Sequence, residues 1–104
     1  MYGIPKENKE KTVLFICVEN SGRSQIAEGF FRKYAPIGYT ALSAGTRPLG
    51  EINPLAIQVM KEYGIDISKQ TPKVVTEYMI RNAAVCVNMG YLLIYVFLLF
   101  FEEQ

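Results

Sequence analysis

The chain has 104 residues, half of them hydrophobic and a fifth charged, which suits one small folded domain and not a disordered segment. Lys and Arg number 11 against 10 Asp and Glu, so the net charge of +1 gives no general electrostatic case for nucleic acid or an acidic membrane. Histidine is absent, which excludes Ser-His-Asp and Cys-His catalysis; two cysteines, Cys17 and Cys86, are too few for a disulfide scaffold or, alone, for a zinc site.

Residues 1–11, "MYGIPKENKEK", read as a flexible solvated tail without the apolar core of a targeting signal, which implies reduced thiols and a cytoplasmic location. "TVLFICV" (12–18) is β-branched and aromatic without alternation, the pattern of a strand covered on both faces. From Ser24 the apolar residues Ile26, Ala27, Phe30, Phe31 and Tyr34 fall at helical spacing, and the helix should end near "APIG". "YTALSAG" (39–45) is a second strand, followed by the turn-rich "TRPLGEI". Asn53-Pro54 is a helix start, an N-cap residue before a proline at the first helical position. Leu55, Ala56, Val59, Met60 and Tyr63 are expected to line one face of that helix, and Gly64 to end it. "IDIS" reads as a short strand or an extended link, "TPKVVTEYMIRN" as weakly helical, and "AAVCVNMG" as a run of strand length. Alternating strands and helices predict an α/β domain over residues 12–90, with right-handed βαβ units and a parallel sheet whose ligands bind beyond the carboxyl ends of the strands.

Cys17 stands at such an end, and Arg23 follows six residues later at the head of a helix. A loop that curls between the two can turn the N–H groups of Val18, Glu19, Asn20, Ser21, Gly22, Arg23 and Ser24 inward as an anion-binding nest. The helix adds its own unpaired N–H groups and the positive end of its dipole. Arg23 offers a planar, permanently charged fork for two oxygens of a tetrahedral oxyanion. Gly22 and Asn20 tolerate the backbone such a loop needs, Ser24 sits at a capping position, and its hydroxyl can donate to the sulfur. The same positive field favours the thiolate of Cys17, giving a nucleophile poised for in-line attack at phosphorus or arsenic with no metal and no cofactor.

"CVENSGRSQIAEGFF" resembles the Cys-x-x-Asn-x-x-Arg-Ser phosphate loop of the low-molecular-weight tyrosine phosphatase and arsenate reductase family. "SAGTRP", "NPLAIQVMKEYGIDIS" and "QTPKVV" extend the resemblance over residues 12–90 and place it nearer the thioredoxin-coupled arsenate reductases. It implies a flavodoxin-like parallel sheet with helices on both faces, Cys17 as nucleophile, Arg23 as oxyanion clamp, and Asn20 and Ser24 as stabilisers of the loop and thiolate. It also implies a substrate that is arsenate, phosphate or a phosphotyrosine-like ester, and an external, thioredoxin-like thiol reductant if the reaction is a reduction. Glu19 departs from the relatives' uncharged residue. A carboxylate aimed at the anion would repel it, so Glu19 is expected at the rim, facing solvent.

The resemblance implies two further parts after the last matched strand: an Asp-Pro loop supplying a general acid, and cysteines that resolve the oxidised nucleophile. No general acid is found in this sequence: Asp66 is its one aspartate and lies far from that position, and Cys86 is expected to be a buried packing residue within a strand. Residues 91–104, "YLLIYVFLLFFEEQ", share neither the motifs nor the composition and read as a truncated or frameshifted end that leaves out the last strand and helix. Eleven uncharged residues make about 16 Å of helix against a hydrocarbon core of about 30 Å, so no transmembrane span is expected, and self-association through 91–101 is. Three functions stay open: arsenate reductase, phosphomonoesterase and inactive oxyanion binder.

Overall fold

A computed structural model describes residues 11–90. The β-branched run forms β1 (Lys11–Cys17), which loses its ladder where Cys17 gives way to the polar loop. The amphipathic stretch forms α1 (Arg23–Tyr34), beginning one residue before the sequence pattern suggests. Then follow β2 (Tyr39–Gly45), α2 (Pro54–Glu62), the short α3 (Glu77–Asn82) and β3 (Val85–Asn88). β1 is central, with β2 on one side and β3 on the other, all parallel. Its register pairs Cys17 with Gly45 and Ile16 with Asn88, so the three strands end together at one rim.

The alternation of β1 distributes its residues between two faces. Leu14 and Ile16 pack with Ala44 under Val75, Met79, Ile80 and Ala83, the side covered by α3. Phe15 points the other way, its ring edge-on to Phe31 of α1 at 6.0 Å. A further core joins Ile52, Ala56, Met60, Ile65 and Ile67 to Ile26 and Phe30, and so seals α2 and the link after it against α1. Helices therefore lie on both faces of a parallel sheet, as the sequence predicts.

Asn53 caps α2 as predicted: its side chain accepts the Leu55 N–H at 2.8 Å, with Pro54 at the first helical position. Gly64 ends the helix at φ 75°, with its N–H on Lys61 O (2.9 Å) and the Ile65 N–H on Met60 O (3.0 Å). That is the Schellman pairing, and Ile65 beside Met60 supplies its apolar contact. The predicted apolar face of α2 is corrected. Ala56 and Met60 are buried, but Leu55, Val59 and Tyr63 are exposed, because α1 covers one i, i+4 stripe and the neighbouring stripe faces out. Residues 65–68 form no strand; Ile65 and Ile67 drop into the core from an extended link. "AAVCVNMG" therefore supplies the third strand. Cys86 is also corrected: it is exposed, because β3 is an edge strand with little of its surface covered among the described residues. The expected self-association through residues 91–101 lies outside the described residues.

Candidate active site: a thiol at the floor of an anion cradle

Beyond Cys17 the chain turns through Val18–Gly22 and enters α1, and the carbonyls of this loop are drawn outward. The Cys17, Val18, Glu19 and Ser21 carbonyls accept from Thr46, Arg47, Leu49 and Asn53 N–H at 3.0, 2.8, 3.0 and 2.9 Å. With the carbonyls engaged behind the loop, its N–H groups are left for the concave side. Those of Glu19, Ser21 and Gly22 have no protein acceptor among the described residues. α1 begins at Gly22 with no side chain capping it, so its first-turn donors are also open to the cleft. This revises the place expected of Ser24, which lies inside the first turn and uses its hydroxyl elsewhere.

The resulting cleft, about 460 Å³, is lined by Cys17, Val18–Gly22, Arg23 and Asn53. Cys17 is buried at its floor. Two donors converge on the sulfur: the Asn20 N–H at 3.1 Å and the Ser24 hydroxyl at 2.8 Å. The direction of the second bond follows from its neighbour. The Asn20 Nδ2 donates to Ser24 Oγ at 2.8 Å, which leaves the serine proton for the sulfur. The Arg23 guanidinium is exposed at the mouth with no hydrogen bond or ion pair among the described residues, and stands free to grip a ligand. Glu19 is exposed on the rim, as expected.

Asn20 is the hub of the loop. It is fully buried and left-handed, at φ 52°. Its Nδ2 also donates to Ser43 Oγ (3.0 Å), and Ser43 donates to Glu28 Oε1 (2.6 Å); the other carboxylate oxygen of Glu28 takes Arg32 at 2.5 Å. Ser43 and Glu28 in this network, and Asn53 on the cleft wall, are site residues that no motif in the sequence singles out. Two signals were available: a serine inside the apolar run "YTALSAG", and Ser24, Glu28 and Arg32 at i, i+4, i+8 on one helical stripe. Lys73, whose Nζ donates to Ser43 O (3.0 Å) and Thr71 O (2.7 Å), has its ammonium pushed below the ordinary lysine value by burial.

Two residues weighed from the sequence stand elsewhere. Asp66 lines a separate hollow with Gly29, Arg32 and Gln70; hydrogen bonding by the Ser68 side chain, and after it the Ser68 N–H at 2.8 Å from Oδ1, holds its carboxyl below the usual range. Cys86 is paired with Leu14, three residues back from Cys17 and on the opposite face of the sheet. That offset is roughly 11 Å between Cα atoms, beyond the ~7 Å a disulfide tolerates. Although Cys86 is exposed as a residue, the covering its sulfur does have from neighbouring atoms pushes the thiol up, away from ready ionisation. Among the described residues no helix is long and apolar enough to cross a membrane.

A parallel α/β sheet with a cysteine ending its central strand, under a nest of N–H groups and an arginine at the head of the next helix, sets a thiol beneath donors arranged for a tetrahedral anion. Residues 12–92 match the low molecular weight phosphotyrosine protein phosphatase family, and the chain belongs to that family. It is 43% identical over 83 residues to the arsenate reductase of Brevibacillus brevis, covering 80% of this chain and 60% of that one. Among solved structures it is similar to a thioredoxin-dependent arsenate reductase of Corynebacterium glutamicum, with 41% identity and TM-score 0.74 over 79% of this chain and 41% of that one. It is also similar to the low molecular weight protein tyrosine phosphatase of T. tengcongensis, with 35% identity and TM-score 0.70 over 77% and 58%. The chain thus spans about 60% of the length of the curated relatives it matches.

Proposed function

We propose that this chain carries arsenate reductase chemistry centred on Cys17, in a compartment that keeps thiols reduced. The observation that carries it is the sulfur under two donors at the floor of a cradle shaped for a tetrahedral anion. Arsenate enters with its oxygens on the loop N–H groups and the Arg23 fork. The Cys17 thiolate attacks arsenic, an S–As bond forms, and one arsenate oxygen leaves as hydroxide or, once protonated, as water. An external thiolate, of the thioredoxin type, then attacks the Cys17 sulfur. The S–As bond breaks with its electron pair on arsenic, which departs as arsenite, and a mixed disulfide remains. A second thiol attacks the external sulfur of that disulfide and releases Cys17 as thiolate, so two thiols supply the two electrons.

The reductase reading is supported by the 43% identity to an arsenate reductase. The alternative is hydrolysis of phosphate monoesters through a Cys17 phospho-enzyme, since phosphate and arsenate share the tetrahedral geometry that the cradle fits. Arsenite production by the purified chain with thioredoxin or dithiothreitol tests the first, and thiol-independent release of p-nitrophenol from its phosphate tests the second. Oxyanion binding with neither activity would identify a binder. Cys17→Ser should abolish either chemistry and keep inorganic phosphate binding; turnover by that variant would overturn the mechanism.

A further inference from the structure

Asn20 is gripped from a second direction by residues that the reaction itself does not use. Gln70, in the link after α2, donates through Nε2 to Gln25 Oε1 (2.8 Å) and Gln25 O (3.1 Å). A Gln25 carboxamide whose oxygen is so occupied must present its nitrogen at the other end, and that Nε2 donates to Asn20 O at 2.9 Å. Gln25 is fully buried, so it has no water to fall back on. Three residues beyond Gln70, the Lys73 N–H donates to Asn20 Oδ1 at 2.8 Å. This bond fixes the Asn20 carboxamide with its nitrogen toward Ser24 and Ser43. Flipped, the amide would put an oxygen against Ser24 Oγ, and the serine proton would turn to it and away from Cys17.

We propose that the Gln70–Lys73 segment is a brace that positions the nucleophile loop, with Gln70 its side-chain key: through Gln25 and Asn20 it keeps two donors aimed at the Cys17 sulfur. The proposal rests on the reading of Cys17 as the reactive thiol. Gln70 touches neither the sulfur nor the cleft, so it is a positioning residue. The Lys73 end of the brace is anchored to β2, through Gly45 N on Lys73 O (2.8 Å) and Val75 N on Gly45 O (2.9 Å). A local loss at Gln70 therefore leaves the sheet connection in place.

The decisive comparison is Gln70→Glu, which keeps the shape but replaces the donor with two acceptors facing Gln25 Oε1. It is made in the full chain carrying Cys86→Ser, so that iodoacetamide reports Cys17. Alkylation is followed across pH, inorganic phosphate binding is measured by protection from alkylation, and folding is followed by thermal melting. The brace predicts a pH profile moved to higher pH, alkylation near neutrality slowed about three- to tenfold, and weaker phosphate protection, with the melt largely kept. An unchanged pH profile and unchanged protection in folded Gln70→Glu would overturn it. If that variant does not fold, Gln70→Ala, which removes the donor from a partly exposed position without adding charge, carries the same prediction. Loss of the fold in both variants also overturns the brace, since the bonds would then serve the fold at large. Phosphate failing to protect Cys17 in the parent would instead sink the reading of the cradle, a result separable from any effect of Gln70.

Discussion

Gly45 ends β2 directly beside Cys17, and the loop closes over it more tightly than any side chain allows. A Cβ built there lies 2.5 Å from the Val18 carbonyl oxygen and 3.0 Å from Asn20 N and Cβ. Relief to an ordinary contact needs 3.4 − 2.5 = 0.9 Å of movement, and none of these atoms is the far end of a flexible side chain. The Val18 carbonyl is tied by Arg47 N–H and the Asn20 N–H by the Cys17 sulfur. Gly45→Ala therefore has to shift the nucleophile loop itself. Overpacking of this kind costs about 1–3 kcal/mol, a fall in melting temperature of roughly 4–8 °C per kcal/mol for a domain this size. The effect on the site is larger, since misplacing reacting groups by ~1 Å costs on the order of 10²-fold in rate. Melting curves, phosphate protection of Cys17 and turnover measure the three consequences. Gly50→Ala is the control, because a Cβ there meets nothing within 4 Å. Gly45→Ala with a melt and phosphate affinity matching Gly50→Ala would refute the claim that this close approach sets the loop.

Ser43→Ala leaves Glu28 Oε1 and one Asn20 Nδ2 hydrogen without a partner in a buried setting, so denaturant unfolding should show a loss of about 1–3 kcal/mol; a change under about 0.5 kcal/mol would show that the network is slack. Arg23→Lys keeps the charge but loses the fork, and phosphate affinity by calorimetry should fall by roughly ten- to a hundredfold; equal affinity would mean that the loop N–H groups bind the anion alone. Asp66 has its folded pKa below the ordinary 3.8, chiefly through its hydrogen bonds with Ser68. Its charge then stabilises the fold above pH 3.8, and that contribution is lost as pH falls through the lower folded value. Parent and Asp66→Asn melts should differ near neutrality and converge in acid, whereas a gap that widens on acidification would contradict the sign.

The elements best read from the sequence are those whose own residues dictate them. The 39–45 strand is recovered end for end, and the Asn53-Pro54 start and Gly64 stop of α2 hold because capping and positive φ are local chemistry. The cradle was legible for the same reason: Cys17, Asn20 and Arg23 lie within seven residues, and a strand end followed by a helix start leaves such a loop little freedom; Gly22, suited to a positive φ, takes φ −127° instead, and the left-handed residue is Asn20. What failed depended on neighbours. Leu55, Val59 and Tyr63 satisfy the helical period as well as Ala56 and Met60 do, and periodicity alone does not say which stripe α1 covers. Cys86 sits in an apolar run that looks buried, yet burial is a property of the sheet, and β3 is its edge among the described residues.

The supports of the nucleophile fall between these cases. Ser43, Gln70 and Lys73 reach Asn20 or the residues bonded to it from 23 to 53 positions away, so no window of sequence contains the constellation. Their residue types nevertheless carried a trace of it. A serine in a buried strand, like a glutamate on the inner stripe of a helix, costs free energy unless something bonds it, and Ser43 and Glu28 are such residues. The thiol of this site is thus declared by a contiguous motif, whereas the hydrogen bonds that hold it are declared by polar residues in places where burial would otherwise forbid them. A buried polar residue within reach of the Cys-x5-Arg loop is therefore better evidence of how the thiol is held than any further residue inside the loop.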